Sequence, residues 1–176
     1  VVDVKWDTGS QKWKYADPED DPQELKLRDG TIIPQHKVSS ANEALGIMIR
    51  PDCNMKLQKK HLLDKVHAWC EAIRTRRVQR HEAWYCLSRT IMKTIEYSLC
   101  ATTFSREDID EIMRPIFRTA LRLCGIQRNL PRKLIYGTKT ARGLGLKDPY
   151  LLQMIVHLTC ILKHQHMDTL SRDLHI

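Results

Sequence analysis

The sequence lacks the long hydrophobic segments of a membrane protein. Nowhere in its 176 residues is there a stretch approaching the ~18 unbroken apolar residues that a membrane span requires. The N-terminus also lacks the basic region followed by an apolar region that marks a secretory signal peptide. Membrane insertion and secretion are therefore unsupported, and we expect no membrane partner. Because the chain starts at Val1 rather than at Met, we expect it to be part of a longer product.

Motifs of catalysis and metal binding are also missing. There is no Walker loop, no GxGxxG after a strand, no HExxH and no nucleophile elbow. The six cysteines are scattered: the nearest two, Cys86 and Cys100, are fourteen residues apart, which excludes a CxxC pair or a zinc spacing. We therefore expect no catalytic residue, no metal and no cofactor in this chain. Reduced cysteines favour an intracellular setting, nuclear or cytoplasmic.

Charge is unevenly placed along the chain, whose formal net charge is +8. Residues 1–54 carry 7 Lys and Arg against 10 Asp and Glu, whereas residues 55–176 carry 22 against 11. A basic half of this kind favours nucleic acid or another anionic surface as its partner. A well-solvated helical surface explains the same counts equally well.

Residues 1–50 predict a strand-rich region. Apolar and polar residues alternate in the first two strands, which are joined by a polar turn. Asp29-Gly30 predicts the turn of a second hairpin. The apolar run ALGIMI (44–49) predicts one short strand with Gly46 inside it, as happens where another backbone or a ligand approaches closely.

Residues 51–125 predict three helices. The first is capped by Asn54 and ends near Arg76. The third is capped by Ser105 through a Ser-x-x-Asp box and stops at Gly125. The predicted buried faces consist of Leu62, Val66, Trp69 and Ile73 in the first helix, and of Ile109, Ile112, Met113, Ile116, Ala120 and Cys124 in the third.

The second of these helices, from Arg80 to Leu99, organises the rest. Arg89 and Lys93 lie opposite its apolar face. We expect Trp84 to be largely buried against Trp69 and the third helix. The apolar face consists of Trp84, Leu87, Ile91 and Ile95.

Residues 126–176 predict a basic irregular segment followed by a last helix, from Tyr150 to about Lys163. This helix is apolar almost all round, so it is either buried or lies against something missing from this chain. Together the elements predict an α+β fold, with a small antiparallel β region at the N-terminus followed by a mainly α-helical bundle.

The sharpest candidate for phosphate binding is a row of three arginines, Arg114, Arg118 and Arg122, opposite the apolar face of the third helix. One helical turn separates neighbours by ~6 Å, and guanidinium groups match phosphate geometry. Glu107 and Glu111 precede them in the same row, so complementing the helix dipole is an alternative explanation. The other candidate nucleic-acid-binding residues are Arg74, Arg76, Arg77, Arg80, Arg89, Lys93, Arg128 and Arg132.

Short motifs follow one another over nearly the whole chain. They include Trp6-x6-Trp13-x-Tyr15, Ala44-Leu45-Gly46-Ile47, Pro51-Asp52-x-Asn54, Arg80-x-Glu82-Ala83-Trp84, TIMKTIEY at 90–97, Gly125-Ile126-x-Arg128, Pro131-Arg132, Tyr136-Gly137 and Gly143-Leu144-Gly145. In number and order they resemble the region downstream of the catalytic motif in reverse transcriptases of LINE-like (non-LTR) retrotransposons.

The resemblance implies a fragment of an RNA-directed DNA polymerase. Residues 1–50 would be the end of the palm, 51–125 a helical thumb and 126–176 the start of the next segment. It implies an RNA/DNA template–primer duplex as partner, with a primer-grip-like role for Leu45 and Gly46, and the fingers and palm of the same polypeptide upstream. The aspartate pair that binds Mg²⁺ in the parent enzyme has no counterpart here. We therefore expect no nucleotide incorporation by this chain alone.

The expected function is template–primer binding as the thumb region of a reverse transcriptase. Two alternatives stay open. One is a stand-alone basic nucleic-acid-binding module without a polymerase, and the other is a helical interaction domain whose last apolar helix docks on a protein partner.

Overall fold

Strand pairs come first along the chain and helices follow. The computed structural model describes residues 4–16, 25–33 and 36–165, and the chain divides into two units between Gln58 and Lys59. The α+β fold class predicted from the sequence is confirmed. The finer division into three segments stays a prediction.

The described part of the N-terminal unit contains three two-stranded antiparallel hairpins and the first residues of the helix that follows. In the first, Trp6 lies opposite Trp13, and the ring centroids are 5.4 Å apart. The second turns at Asp29-Gly30, as predicted. The paired strands are β1 (Val4–Asp7) with β2 (Lys12–Tyr15), β3 (Leu25–Lys26) with β4 (Ile32–Ile33), and β5 (Asn42–Ala44) with β6 (Ile47–Ile49).

The apolar run at 44–49 is a hairpin, so the prediction of one strand was wrong. Leu45 and Gly46 form its turn with φ angles of 52° and 79°. A type I′ turn requires positive φ at both central residues. The turn was not predicted because Leu45 occupies the first central position, where Asn, Asp or Gly is usual. Its side chain is 87% exposed at the hairpin tip.

Helix α1 (Lys56–Thr75) begins as predicted after Asn54, whose Oδ1 accepts a hydrogen bond from the Lys56 backbone N–H at 3.0 Å. Trp69 is only half-buried, and its indole N–H donates to the Thr90 hydroxyl at 2.9 Å. The rest of the predicted stripe is confirmed as buried, namely Leu62, Val66 and Ile73.

The second predicted helix contains a π-helical turn. Helix α2 (Arg80–Cys86), the π turn (Leu87–Ile91) and α3 (Met92–Ser98) follow one another without a break. In a straight α-helix a spacing of four residues drifts by ~40° per step, and the wider π turn removes part of that drift. Residues four apart therefore stay on one face, and the buried stripe consists of Ala83, Leu87, Ile91, Ile95 and Leu99.

Trp84 does not lead this stripe. Ala83 is fully buried in that place, whereas Trp84 is half-buried and lines an open groove. The expectation that Trp84 is largely buried was therefore wrong. A regular α-helical period across residues 80–99 places Trp84 on the core face. The π turn changes the rotation between residues, so Ala83 lies on the core face instead.

Helix α4 (Arg106–Leu123) has the predicted capping box. The Ser105 hydroxyl accepts the Asp108 N–H at 3.1 Å, and the Asp108 carboxylate accepts the Ser105 N–H at 3.2 Å. The helix ends at Leu123, and its C-cap residue Cys124 is half-buried. Gly125, which has a φ of 72°, follows the C-cap. The buried face is Ile109, Ile112, Met113, Ile116, Phe117, Ala120 and Leu121.

The segment after α4 is more ordered than predicted. It contains helix α5 (Arg132–Tyr136) and a 3₁₀ turn (Lys139–Ala141). Behind them the backbones of Gly137 and Gly143 touch: a Cβ on Gly143 would lie 2.2 Å from the carbonyl oxygen of Gly137. Only glycine fits such an approach, so this pair fixes the loop.

Helix α6 (Pro149–Gln165) packs through a narrow face. The buried Gln153 side chain exchanges two hydrogen bonds of 3.0 Å with the Phe104 backbone. The other faces are open among the described residues. The alternative of a buried helix is therefore wrong for this part of the chain, and the alternative of a helix that lies against something missing from this chain stays a prediction. The exposed apolar side chains of α6 are Leu151, Met154, Ile155, Leu158, Ile161 and Leu162.

Candidate nucleic-acid interface

Helix α4 presents the predicted arginine row to solvent. Arg114, Arg118 and Arg122 are exposed, on the side away from the buried face. Because the core face holds the helix in place, the three guanidinium groups project from a rigid support. The spacing of four residues separates successive side chains by one turn, or ~6 Å along the axis.

Three further arginines from other elements join this row. Arg74, near the end of α1, lines two shallow clefts together with Arg118, and Arg128 lines two clefts with Arg118 as well. The Arg132 guanidinium lies 4.1 Å from the centre of the Phe117 ring and lines one of the clefts that contain Arg118 and Arg128. We call these six residues the arginine surface: Arg74, Arg114, Arg118, Arg122, Arg128 and Arg132.

Few carboxylates neutralise the arginine surface. Among the residues that the structure describes, only Arg74 of the six has a carboxylate within 4.0 Å, a pair with Glu71 at 2.7 Å. That pair is largely exposed on both sides, and exposed pairs contribute little. The surface therefore keeps most of its positive charge.

The acidic end of α4 is neutralised from α1 instead. The Lys59 ammonium lies 2.6 Å from Asp108 and 2.5 Å from Glu111. Its hydrogen bonds raise the pKa of Lys59, and the bond from Lys59 is the main cause of a lowered pKa of Asp108. Glu111 precedes the arginines in their row, so Lys59 reduces the negative charge that would compete with a bound phosphate.

Arg80 lies beside the C-terminal end of α4. A Cβ on Gly125 would come within 3.1 Å of its Nε atom, so the guanidinium covers that glycine. Arg76 and Arg77 are exposed in the connection between α1 and α2. None of these three lines the clefts of the arginine surface.

Arg89 and Lys93 lie in a different place from the arginine surface. They line a groove of about 530 Å³ between the π turn, α3 and the loop after α5, and this groove shares no residue with the arginine clefts. We call it the aromatic groove. Its tryptophan, tyrosine, lysine and arginine side chains are Trp84, Tyr85, Arg89, Lys93, Lys139 and Lys147.

Sequence reasoning did not select four residues of the aromatic groove: Trp84, Tyr85, Lys139 and Lys147. The loop that carries the two lysines folds back because Gly137 meets Gly143, and that approach joins distant segments. The Gly-x5-Gly spacing is the one signal in the sequence that could have indicated it.

Leu45 and Gly46, the primer-grip-like pair, belong to the N-terminal unit. They form the hairpin tip described above, with Leu45 projecting into solvent. Their proposed role is therefore assigned to a turn rather than to a strand.

All six cysteines lie in the described ranges and none forms a disulfide. The described residues contain no cluster of three or more histidine, cysteine or acidic side chains suited to a metal ion. No helix in the described ranges has the length and apolarity needed to cross a membrane.

Comparison with known proteins adds no relative to this picture. The arginine surface and the aromatic groove are therefore interpreted from their geometry and from the sequence motifs. No protein-family model matches the chain, and neither the curated proteins nor the solved structures gave a match.

Proposed function

We propose that the unit that begins at Lys59, called the helical unit, binds the phosphate backbone of a nucleic-acid duplex, as the thumb region of a reverse transcriptase does with its template–primer. The observation that carries this proposal is the arginine surface. Six guanidinium groups from α1, α4 and the segment after α4 lie together, and five have no carboxylate partner among the described residues. Guanidinium groups form paired hydrogen bonds with phosphate oxygens.

The assignment to a reverse transcriptase draws on the sequence resemblance. In that setting an RNA/DNA template–primer is the duplex, Leu45 and Gly46 form a primer-grip-like tip, and the upstream fingers and palm of the parent polypeptide supply catalysis with Mg²⁺. The free cysteines fit an intracellular location. Without the resemblance, the same surface supports a stand-alone nucleic-acid-binding module.

Substitution of the arginine row tests the proposal. The triple variant R114Q/R118Q/R122Q should bind a blunt RNA–DNA hybrid about tenfold or more weakly at low salt, because three phosphate contacts are removed. Two hybrids of unrelated sequence should lose affinity alike, since phosphate contacts carry no base information.

A matched control removes three other cations. Lys56, Lys60 and Lys65 are exposed on α1 and line none of the arginine clefts. The variant K56Q/K60Q/K65Q should keep most of the duplex affinity. Equal losses in the two triple variants would show that net charge, rather than the arginine surface, governs binding.

The exposed apolar stripe of α6 favours a second candidate function, docking on a protein partner. Ile155 and Leu158 are 59% and 57% exposed at the centre of the stripe, and exposed apolar patches of this kind mark interaction sites. The double variant I155K/L158K should abolish such docking without changing the fold. Unchanged duplex binding by this variant would separate the two functions.

A further inference from the structure

The aromatic groove is not used by the proposed duplex contact. Its volume of about 530 Å³ lies within the range of small-molecule sites, roughly 300 to 1,000 Å³. Its lining combines aromatic rings, apolar side chains and cations. That combination differs from the arginine surface, where the cleft linings include no Trp or Tyr.

Cations dominate the charge of the groove. Lys93 and Lys147 share one carboxylate, Glu96, with Lys147 at 3.2 Å. Burial raises the pKa of Glu96, but the two lysine hydrogen bonds outweigh it and leave the pKa below its ordinary value. Glu96 therefore stays ionised and neutralises one lysine. Arg89 and Lys139 have no carboxylate within 4.0 Å among the described residues, so the groove keeps a net positive charge.

Two neighbouring aromatic side chains line the same groove. Tyr85 is 65% exposed, and Trp84 is half-buried beside it. A large exposed ring in a positively charged groove is the arrangement that proteins use for single-stranded nucleic acid. There the rings stack on bases and the cations follow the backbone.

The walls of the groove are fixed by two unusual backbone features. On one side is the π turn, which carries Ser88 and Arg89; π turns inside helices occur frequently at functional sites. On the other side, contact between Gly137 and Gly143 holds the loop that carries Lys139 and Lys147. The groove is therefore preformed, which reduces the entropy lost on binding.

We propose that the aromatic groove binds an unpaired nucleotide of a single strand, with the base on Tyr85 and the phosphate at Arg89 and Lys139. The groove has no lining residue in common with the three arginine clefts, and Arg132 lies next to it in a further cleft with Lys139 and Lys147. With this groove the helical unit has two sites for two forms of nucleic acid, one reading the backbone of a duplex and one accepting a base outside a duplex.

Two labelled probes of equal charge test the base contact. One is a short oligo-thymidine strand, and the other is an abasic strand of the same length. Because stacking on an aromatic side chain contributes ~1–3 kcal/mol per base, the wild-type chain should bind the thymidine strand about tenfold more tightly than the abasic strand. The double variant Y85A/K139Q, changed only at exposed residues, should lose most of this preference.

The variant Y97A/K163Q is the control, since Tyr97 and Lys163 are exposed and do not line the groove. It should behave as the wild type. Equal binding of the two strands by the wild type, or an unchanged preference in Y85A/K139Q, would overturn the proposal.

The duplex probe keeps the two proposals apart. Y85A/K139Q should bind the blunt hybrid as the wild type does, whereas R114Q/R118Q/R122Q should lose hybrid affinity and keep the preference for thymidine over abasic strands. If Y85A/K139Q binds the blunt hybrid and the thymidine strand more weakly by the same factor, the groove is part of the duplex surface and the single-strand site is refuted. If R114Q/R118Q/R122Q binds the blunt hybrid as tightly as the wild type, and Y85A/K139Q loses its preference for the thymidine strand, the duplex proposal alone is refuted.

Discussion

The arginine surface and the aromatic groove are both basic, yet they hold their cations differently. On the arginine surface, guanidinium groups from α1, α4 and the segment after α4 lie together, with few carboxylates among the described residues near them. In the aromatic groove, two of the cations share Glu96 and the lining includes aromatic rings. One surface offers repeated positive charge, whereas the other offers a shaped site with a limited positive charge.

This difference shows why net charge alone does not identify a binding mode. A row of arginines at helical spacing suits any phosphate backbone and is sensitive to salt. A groove with exposed aromatic rings gains affinity from the bases and requires them to be unpaired. Substitutions in the core should affect both surfaces, whereas substitutions at one surface should affect binding at that surface alone.

The largest effect is expected in the core. Leu87 is fully buried in the π turn, the segment that also carries the groove residue Arg89. Leu87→Ala should lower the free energy of unfolding by about 2–5 kcal/mol, through lost burial and a cavity. Trp84→Ala, at a half-buried side chain, should cost only about 1–2 kcal/mol. Thermal or denaturant unfolding measures both, and the reverse order would place Trp84 in the core after all.

The next effect should disturb the groove and spare α4. In Gly143→Ala the new methyl group would collide with the carbonyl oxygen of Gly137, which should cost about 2–3 kcal/mol. Single-strand preference should fall because Lys139 and Lys147 move, while duplex affinity stays near the wild-type value. Gly9→Ala is the control, because its Cβ would meet its nearest neighbour at 3.4 Å. Equal stability of the two variants would contradict the close glycine contact.

A smaller effect concerns the support of the arginine surface. Lys59→Met removes the pairs with Asp108 and Glu111 and should cost about 1 kcal/mol at neutral pH. Because pairing lowers the pKa of Asp108, this stability is present above the ordinary aspartate pKa and is lost as the pH falls through the folded-state value. Because pairing raises the pKa of Lys59, it is also lost at strongly alkaline pH.

Unfolding experiments across the pH range check this dependence. The difference between the wild type and Lys59→Met should be constant near neutrality and should shrink at both extremes. A difference that does not change with pH would show that Lys59 acts through packing alone.

The smallest change in stability is expected in the N-terminal unit. A variant there should leave binding at both surfaces unchanged. Leu45 has a φ of 52°. The conformational energy of a positive φ is higher for leucine than for asparagine, so Leu45→Asn should stabilise the hairpin by about 0.5–1 kcal/mol. Affinity for a blunt hybrid, which has no recessed primer end, should not change. A lower thermal midpoint in this variant would contradict the turn described here.

Local signals in the sequence predicted most of the fold. The apolar period located the buried residues of α1 and α4, and the pairing of Ser105 with Asp108 and the position of Gly125 marked the ends of α4. These features depend on neighbours within a few residues, which is why a sequence reveals them. The turn at Leu45-Gly46 escaped because an apolar residue occupies a turn position.

The candidate site was predicted only in part. The row on α4 follows from helical spacing, but its union with Arg74, Arg128 and Arg132 depends on how separate elements pack. The same holds for the separation of Arg89 and Lys93 from that row. The π turn was not predicted either, because the sequence of its five residues is equally compatible with an α-helix.

The central claim is that the row on α4 contacts duplex phosphates, and the salt dependence of binding tests it most directly. Each phosphate contact releases condensed counterions, so the slope of log affinity against log salt should be about two to three units flatter in R114Q/R118Q/R122Q than in the wild type. Circular dichroism should stay unchanged, because exposed helix charges contribute only about 0.2–0.5 kcal/mol per pair. An unaltered slope in a folded triple variant would contradict the account and leave the row as a solvated face that complements the helix dipole.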